Sequence, residues 1–191
     1  GTGRDHEVWS IQRPSIVPFS SQSGMLVPSN GSNSVGFLAT QALGDIGPEM
    51  SACLRSPAVE TPVFVNNYTL TFEHWTALNE DDAAWIEIRH TNGTWGLLTP
   101  IDGYSSTSQL NHTPLTVWNG EESTWTTSQF QLDSHVTDMQ DSVQFRLCFE
   151  TSSSIGNRGG WFVDEFKVHN QGDAVGSWFH GNMSGDYAPN A

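Results

Sequence analysis

From residue 51 onward the chain alternates apolar and polar positions with a period of two. Ala52 and Leu54 alternate with Ser51, Cys53 and Arg55. Leu70, Phe72 and His74 alternate with Thr69, Thr71 and Glu73. Ala84, Ile86 and Ile88 alternate with Trp85, Glu87 and Arg89, and Val143, Phe145, Leu147 and Phe149 with Gln144, Arg146, Cys148 and Glu150. Successive side chains of a strand point to opposite faces, so this spacing predicts half-buried β-strands. Phe130 and Leu132 share one parity of a run from Trp125 to Leu132, and Trp161 to Val168 forms the last core strand.

Turn chemistry divides these runs. His90-Thr91-Asn92-Gly93-Thr94-Trp95 places Asn-Gly between two strand patterns and predicts a hairpin, both central residues at positive φ. Pro100 ends the returning strand Trp95-Gly96-Leu97-Leu98, and a functional loop of roughly 20 residues is expected after it. Residues 1 to about 50 read as irregular with short apolar islands, and 171–191 as a tail carrying Trp178 and Phe179. No helix of three turns, heptad or fixed repeat stands out. The expected organisation is one all-β domain over 1–170, followed by a 171–191 tail that serves as an intersubunit or linker segment.

Parity singles out one carboxylate and one pair of cysteines. Phe162, Asp164, Phe166 and Val168 fall on one face if the last strand is regular, which places a carboxylate among apolar side chains. Such a group must be paired, coordinated or hydrogen-bonded. Two readings stay open: backbone N–H donors from a neighbouring loop, or a structural Ca²⁺ site. Glu7 would be a second ligand, with Asp45, Glu73, Asp81 and Asp82 as further acids. Cys53 and Cys148 both point away from the apolar stripe of their strands. They would form an outer-face disulfide if those strands are neighbours, or else are two separate thiols.

Composition narrows the function classes. Of 191 residues, 21 are acidic and 7 are Lys or Arg, a net charge of −14. That balance disfavours nucleic acid and anionic membrane surfaces as partners. No apolar run reaches the roughly 20 residues of a membrane span. The start at Gly1 reads as a mature or trimmed exported product. Asn30, Asn67, Asn92, Asn111 and Asn182 stand in Asn-x-Ser/Thr sequons, the Asn92 hairpin tip being the best exposed. Metallopeptidase, serine-hydrolase and nucleotide-loop motifs do not occur. His74 falls on a buried parity, as a core histidine would.

Longer stretches carry a resemblance. These are Cys53-Leu54-Arg55-Ser56-Pro57, Leu70-Thr71-Phe72-Glu73-His74-Trp75, Thr99-Pro100-Ile101-Asp102-Gly103-Tyr104 and Gly160-Trp161-Phe162-Val163-Asp164-Glu165-Phe166. Over residues 7–170 they resemble the jelly-roll accessory domain found beside immune-inhibitor-A-type metallopeptidases, which is similar to MAM domains. Glu165 stands where that family usually has a second Asp, and no peptidase domain is present. The resemblance implies a two-sheet antiparallel jelly-roll sandwich of MAM or concanavalin type, with a Ca²⁺ site near Asp164.

The expected function is a non-catalytic structural or adhesive module, extracellular or at the cell surface, such as a repeating subunit of a filament or coat. Its partners would be other copies of itself or other surface proteins. The alternative is a carbohydrate-binding module accessory to an exported hydrolase, in which Trp75, Trp85 and Trp161, on the polar parity of their strands, stack on glycans.

Overall fold

The computed structural model describes residues 10–12, 37–39, 46–61, 67–108, 115–122, 124–135, 142–154, 159–170 and 173–178. Every ladder among them is antiparallel, and no helix occurs among these residues. The protein is therefore all-β, as the alternation predicts.

The larger sheet is centred on β5 (Tyr68–Ala77), flanked by β10 (Thr126–Gln131) and β13 (Gly160–Asn170). The far edge of β13 is shared by β2 (Phe37–Ala39) along its first half and β14 (Asp173–Trp178) along its second. β1 (Ser10–Gln12) extends the sheet beyond β2. The four-stranded sheet runs β3 (Ser51–Arg55), β12 (Phe145–Glu150), β6 (Ala83–Arg89), β7 (Trp95–Leu97). Two small ladders pair β4 (Val59–Glu60) with β11 (Ser142–Val143), and β8 (Ser106–Ser108) with β9 (Leu115–Val117).

Residues of both sheets fill one core. Leu70, Phe72, Phe130, Phe166 and Val168 of the larger sheet pack with Leu54, Ile86, Ile88, Phe145, Leu147 and Phe149 of the smaller one. Phe72 is the hub. Its ring stacks on Phe130 at 5.5 Å and Phe166 at 5.6 Å and meets Trp118 edge-on at 5.8 Å, while Phe145 reaches Phe166 across the sheets at 5.6 Å. Aromatic pairs at these distances add roughly 0.5–1.5 kcal/mol each beyond area burial.

β13 departs from the expected parity. Asp164 pairs with Glu73 but Lys167 pairs with Thr71, so Glu165 and Phe166 together stand opposite one residue, Phe72. This β-bulge switches the strand's faces. Trp161 and Val163 face the core before it, Phe166 and Val168 after it. Asp164 does not share a face with Phe166 and Val168. It lies with Phe162, Glu73 and Trp75 on the opposite side of the sheet, and is itself fully buried. Glu165 has φ +52°, a left-handed conformation that costs a non-glycine residue of order 1 kcal/mol. Asp164 Oδ1 accepts the Glu165 N–H at 2.8 Å, which satisfies a donor at the irregularity.

Three further boundaries differ from the sequence reading. The β6–β7 hairpin forms, with Gly93 at φ +83°, but Asn92 stays out of the positive-φ region. Its Oδ1 instead accepts the Thr94 N–H at 2.9 Å, and a Gly93 N–H to His90 O bond of 2.9 Å closes the turn. The expected loop after Pro100 contains the β8–β9 ladder. The segment read as a tail contains β14, a strand of the larger sheet.

Cys53 and Cys148 are directly opposite in the β3–β12 ladder and form a disulfide on its outer face. The bridge spans a sequence separation of 95. Cross-links of this kind stabilise by about 2–4 kcal/mol, largely by restricting the unfolded chain. Replacing both cysteines by alanine should lower the unfolding free energy by about that amount. Denaturant titrations of the two proteins would measure it, and coincident midpoints would contradict it.

Candidate functional site

Two groups of residues combine accessibility with unusual chemistry: the outer face of the four-stranded sheet, and a cleft at one end of the core.

The outer face is built by register. One row across the sheet is Cys53, Cys148 and Trp85. The next is Arg55, Arg146, Glu87 and Leu97, and the third includes Arg89 and Trp95. Three of the seven basic residues of the chain thus gather on one face. Arg146 Nε donates to Glu87 Oε2 at 2.6 Å, and Trp85 Nε1–H donates to Glu87 Oε1 at 2.8 Å. The guanidinium of Arg146 lies 4.7 Å from the Trp95 ring centroid and that of Arg55 5.6 Å from it. Such cation–π contacts contribute about 0.5–1 kcal/mol at exposed sites. They offset the repulsion between Arg55 and Arg146, like charges directly opposite in a ladder.

The cleft has a volume of about 240 Å³ and is lined by Asp102, Tyr104, Trp118, Glu122, Ser128 and Gln129, among others. The Pro100-Ile101-Asp102-Gly103 turn builds one wall. Gly103, at φ +78°, donates its N–H to Pro100 O at 2.9 Å, and the chain then delivers Tyr104 inward. The Tyr104 hydroxyl donates to Leu98 O at 2.6 Å and accepts the Ile86 N–H at 3.3 Å. Burial pushes its pKa up. Another wall is the segment 118–122, tied to Ala84 through Trp118 and to Ala77 through Glu121. Burial also raises the Glu122 carboxyl pKa, opposed by a hydrogen bond from the Thr76 backbone.

Ser128 connects cleft and core. Its Oγ lies 2.9 Å from His74 Nε2, a diagonal contact between β10 and β5. His74 is fully buried, its ring 4.4 Å from Trp118, and its Nδ1 has no hydrogen-bond partner among the described residues. Burial holds its pKa down at about 3, so the ring is neutral in the native protein. With the ring proton on Nε2, the imidazole donates to Ser128 and the hydroxyl proton is free to point toward the cleft.

The other sequence candidates are dispersed. Trp161 is not on a polar face: it is fully buried in the core, because the bulge reverses the parity that Phe166 and Val168 imply. Trp75 is buried on the far side of the larger sheet, 5.9 Å from Phe162, with its indole N–H donating to Glu122 O. Trp85 is half-buried on the outer face of the smaller sheet. The three form no continuous stacking surface.

Of the carboxylates, Asp164 and Glu73 are cross-strand neighbours, and Glu73 Oε1 accepts the Thr127 hydroxyl at 2.7 Å. Asp82 caps backbone instead, accepting the N–H groups of Asn79 and Ser152 at 2.9 Å each. Among the described residues no group of three or more His, Cys, Asp or Glu side chains forms a metal cluster. Glu7 and Asp45 lie outside the described residues, as do Asn30, Asn111 and Asn182. Asn67 and Asn92 are both exposed.

The sequence reading missed the Arg–Trp face and the cleft. The shared parity of Cys53 with Arg55, and of Cys148 with Arg146, carried a signal for the first. Nothing local brings Ser128 to His74.

No family model matches this sequence. No curated protein matches it either.

The His74 environment sets a pH response. Between about pH 6.5 and 3 the unfolded chain binds a proton at this residue that the native protein does not. Stability is therefore fully present above pH 6.5 and falls with decreasing pH, by at most about 1.4 kcal/mol per unit from this group. His74→Gln, which keeps a donor for Ser128, should flatten the acid dependence by one proton. Denaturant unfolding from pH 7 to pH 4 would measure it, and identical pH slopes in the two proteins would contradict it.

Proposed function

We propose that the chain is a non-catalytic extracellular structural or adhesive module, folded as a two-sheet jelly-roll sandwich of MAM-like type, that presents a rigid face to neighbouring molecules. The observation that carries this reading is the outer face of the four-stranded sheet. Arg55 and Arg146 stand directly opposite one another beside Trp95, on strands cross-linked by Cys53–Cys148. Like charges in that position work against folding, whereas aromatic and Arg side chains are the ones that anchor interfaces. The disulfide supports an oxidising location outside the cytoplasm. No helix among the described residues is long and apolar enough to cross a membrane. Exposed sequons at Asn67 and Asn92 fit a glycoprotein in a host that glycosylates.

The cleft favours a second reading, a carbohydrate-binding module. Its volume of about 240 Å³ is below the roughly 300–1,000 Å³ of drug-sized ligand sites, which suits a single sugar ring. Tyr104 and Trp118 offer apolar wall, and Ser128 and Gln129 offer polar groups. Asp102 and Glu122 would accept from sugar hydroxyls and disfavour acidic sugars.

The two readings separate on coated beads. An adhesive module should make beads carrying the chain clump with one another or with cells from its source. A carbohydrate module should bind a soluble neutral oligosaccharide saturably without clumping. Beads that stay dispersed and bind neither cells nor sugars would remove both.

Structural Ca²⁺ at Asp164 belongs to the same proposal. Asp164 and Glu73 provide two oxygen-bearing side chains on one side of the sheet. The ion would balance the buried charge and brace the bulge. A ligand bound only to the native state stabilises it by about 2.7 kcal/mol at a hundredfold excess over Kd. Chelator should therefore lower the melting temperature, added Ca²⁺ should restore it, and Asp164→Asn should abolish the response. Melting curves indifferent to both additions would assign Asp164 to backbone donors alone.

A further inference from the structure

We infer that the Arg–Trp face of the four-stranded sheet docks the acidic end of a second copy of this chain, in a head-to-tail contact. The inference rests on the adhesive reading and names the surfaces that would carry it.

Charge is graded along the strands of this sheet. β6 runs from Ala83 to Arg89, and at about 3.3 Å per residue its ends are roughly 20 Å apart. At the Arg89 end, the register collects Arg55, Arg89 and Arg146 on the outer face, where Glu87 pairs with Arg146. Arg55 and Arg89 are exposed. Among the described residues Arg55 has no carboxylate partner, only the Trp95 ring.

At the Ala83 end the chain folds back on itself and exposes acids. Asn119 Nδ2 donates to Glu80 O, and Gly120 N–H donates to Asn79 O at 3.3 Å, which sets Glu121 beside the β5–β6 turn. Ser152 links this turn to Glu49, donating its N–H to Asp82 Oδ1 and accepting the Glu49 N–H on its carbonyl. Glu49, Glu80, Asp81 and Glu121, all exposed, form a rim around that end.

The two patches are opposite in sign and lie on different parts of one molecule. A contact between them is heterologous, so each copy that joins leaves one face and one rim unused. Where the rotation between copies does not close a ring, assembly of this kind grows open chains, as a repeating surface subunit requires. The net charge of −14 opposes it only weakly at short range. At physiological ionic strength the screening length is about 8 Å, shorter than the roughly 20 Å between the ends, so the local sign governs docking.

Sedimentation velocity over a concentration series at physiological salt tests the inference with two variants of the full chain. One is Arg55→Glu with Arg89→Glu, which reverses the face. The other is Glu80→Lys with Glu121→Lys, which reverses the rim. The wild-type chain should form an open-ended series. Each variant alone should remain monomeric, its association weakened by roughly tenfold or more. An equimolar mixture should associate again, because the intact face of the second variant accepts the intact rim of the first and the two reversed surfaces, Glu against Lys, are also opposite in sign. Circular dichroism and melting temperature check that each variant is folded, and Arg55→Gln with Arg89→Gln, expected to weaken association less, replaces the first if it is not.

Either reversed variant assembling like wild type would overturn this pair of surfaces while leaving bead adhesion, and with it the adhesive reading, intact. Wild-type assembly that ends at a symmetric dimer would overturn the head-to-tail geometry. A wild-type chain that stays monomeric and also fails to clump beads would overturn both proposals. A monomer whose face binds an acidic polysaccharide, with that binding lost in the Arg variant, would reassign the face to a polyanion and overturn self-docking.

Discussion

β13 carries large apolar side chains on both parities, and a one-residue bulge is what lets Trp161, Val163, Phe166 and Val168 fill a single core. A regular strand would have turned one of those pairs to the opposite face. Phe166 would then be missing from its stack on Phe72 and from its contact with Phe145 across the sheets. Packing of these rings outweighs the left-handed backbone at Glu165, whose cost is of order 1 kcal/mol. The same irregularity sends Asp164 away from the main core, to accept the N–H of the residue after it. The conspicuous acid of this strand is thus a consequence of how the aromatic core is filled.

The two faces of the four-stranded sheet have divided roles. The inner face supplies Ile86, Ile88, Leu147 and Phe149 to the core. The outer face carries the disulfide, the Arg146–Glu87 pair and the Trp85 and Trp95 rings. Fixing the backbone from behind holds long side chains in place that would otherwise sample many rotamers, so a partner need not supply that ordering entropy. The cleft has a comparable logic. Its Tyr104 hydroxyl is committed to Leu98 and Ile86, and Ser128 rests on a buried neutral imidazole. These walls are set by the core behind them.

Candidate chemistry was legible where it depended on parity within one regular strand. His74 is buried as its position in Thr69–Glu73 alternation implies, and Cys53 meets Cys148 because both sit on the outward parity of paired strands. It was not legible where two distant strands combine. Ser128 looks like any polar residue of a half-exposed strand until β10 lies beside β5. Glu87 looks solvated until Arg146 and Trp85 both reach it. The three tryptophans proposed for glycan stacking were separated by tertiary packing: one enters the core, and the other two lie on outer faces of different sheets.

The sequence by itself determined that the chain is built from β-strands, where β3, β5, β6, β10 and β12 run, and which of their faces is apolar. Period-two alternation and the Asn-Gly turn are local, and their energetics hardly depend on the rest of the chain. Tertiary structure decided the bulge in β13, the pairing of β14 onto a strand edge where a tail was expected, and the β8–β9 ladder inside an expected loop. Each of these depends on a partner far away in sequence. A bulge lowers the free energy only when rings on another strand are waiting for the displaced side chain, and an edge strand pairs only when a neighbour's N–H and C=O groups are left open beside it.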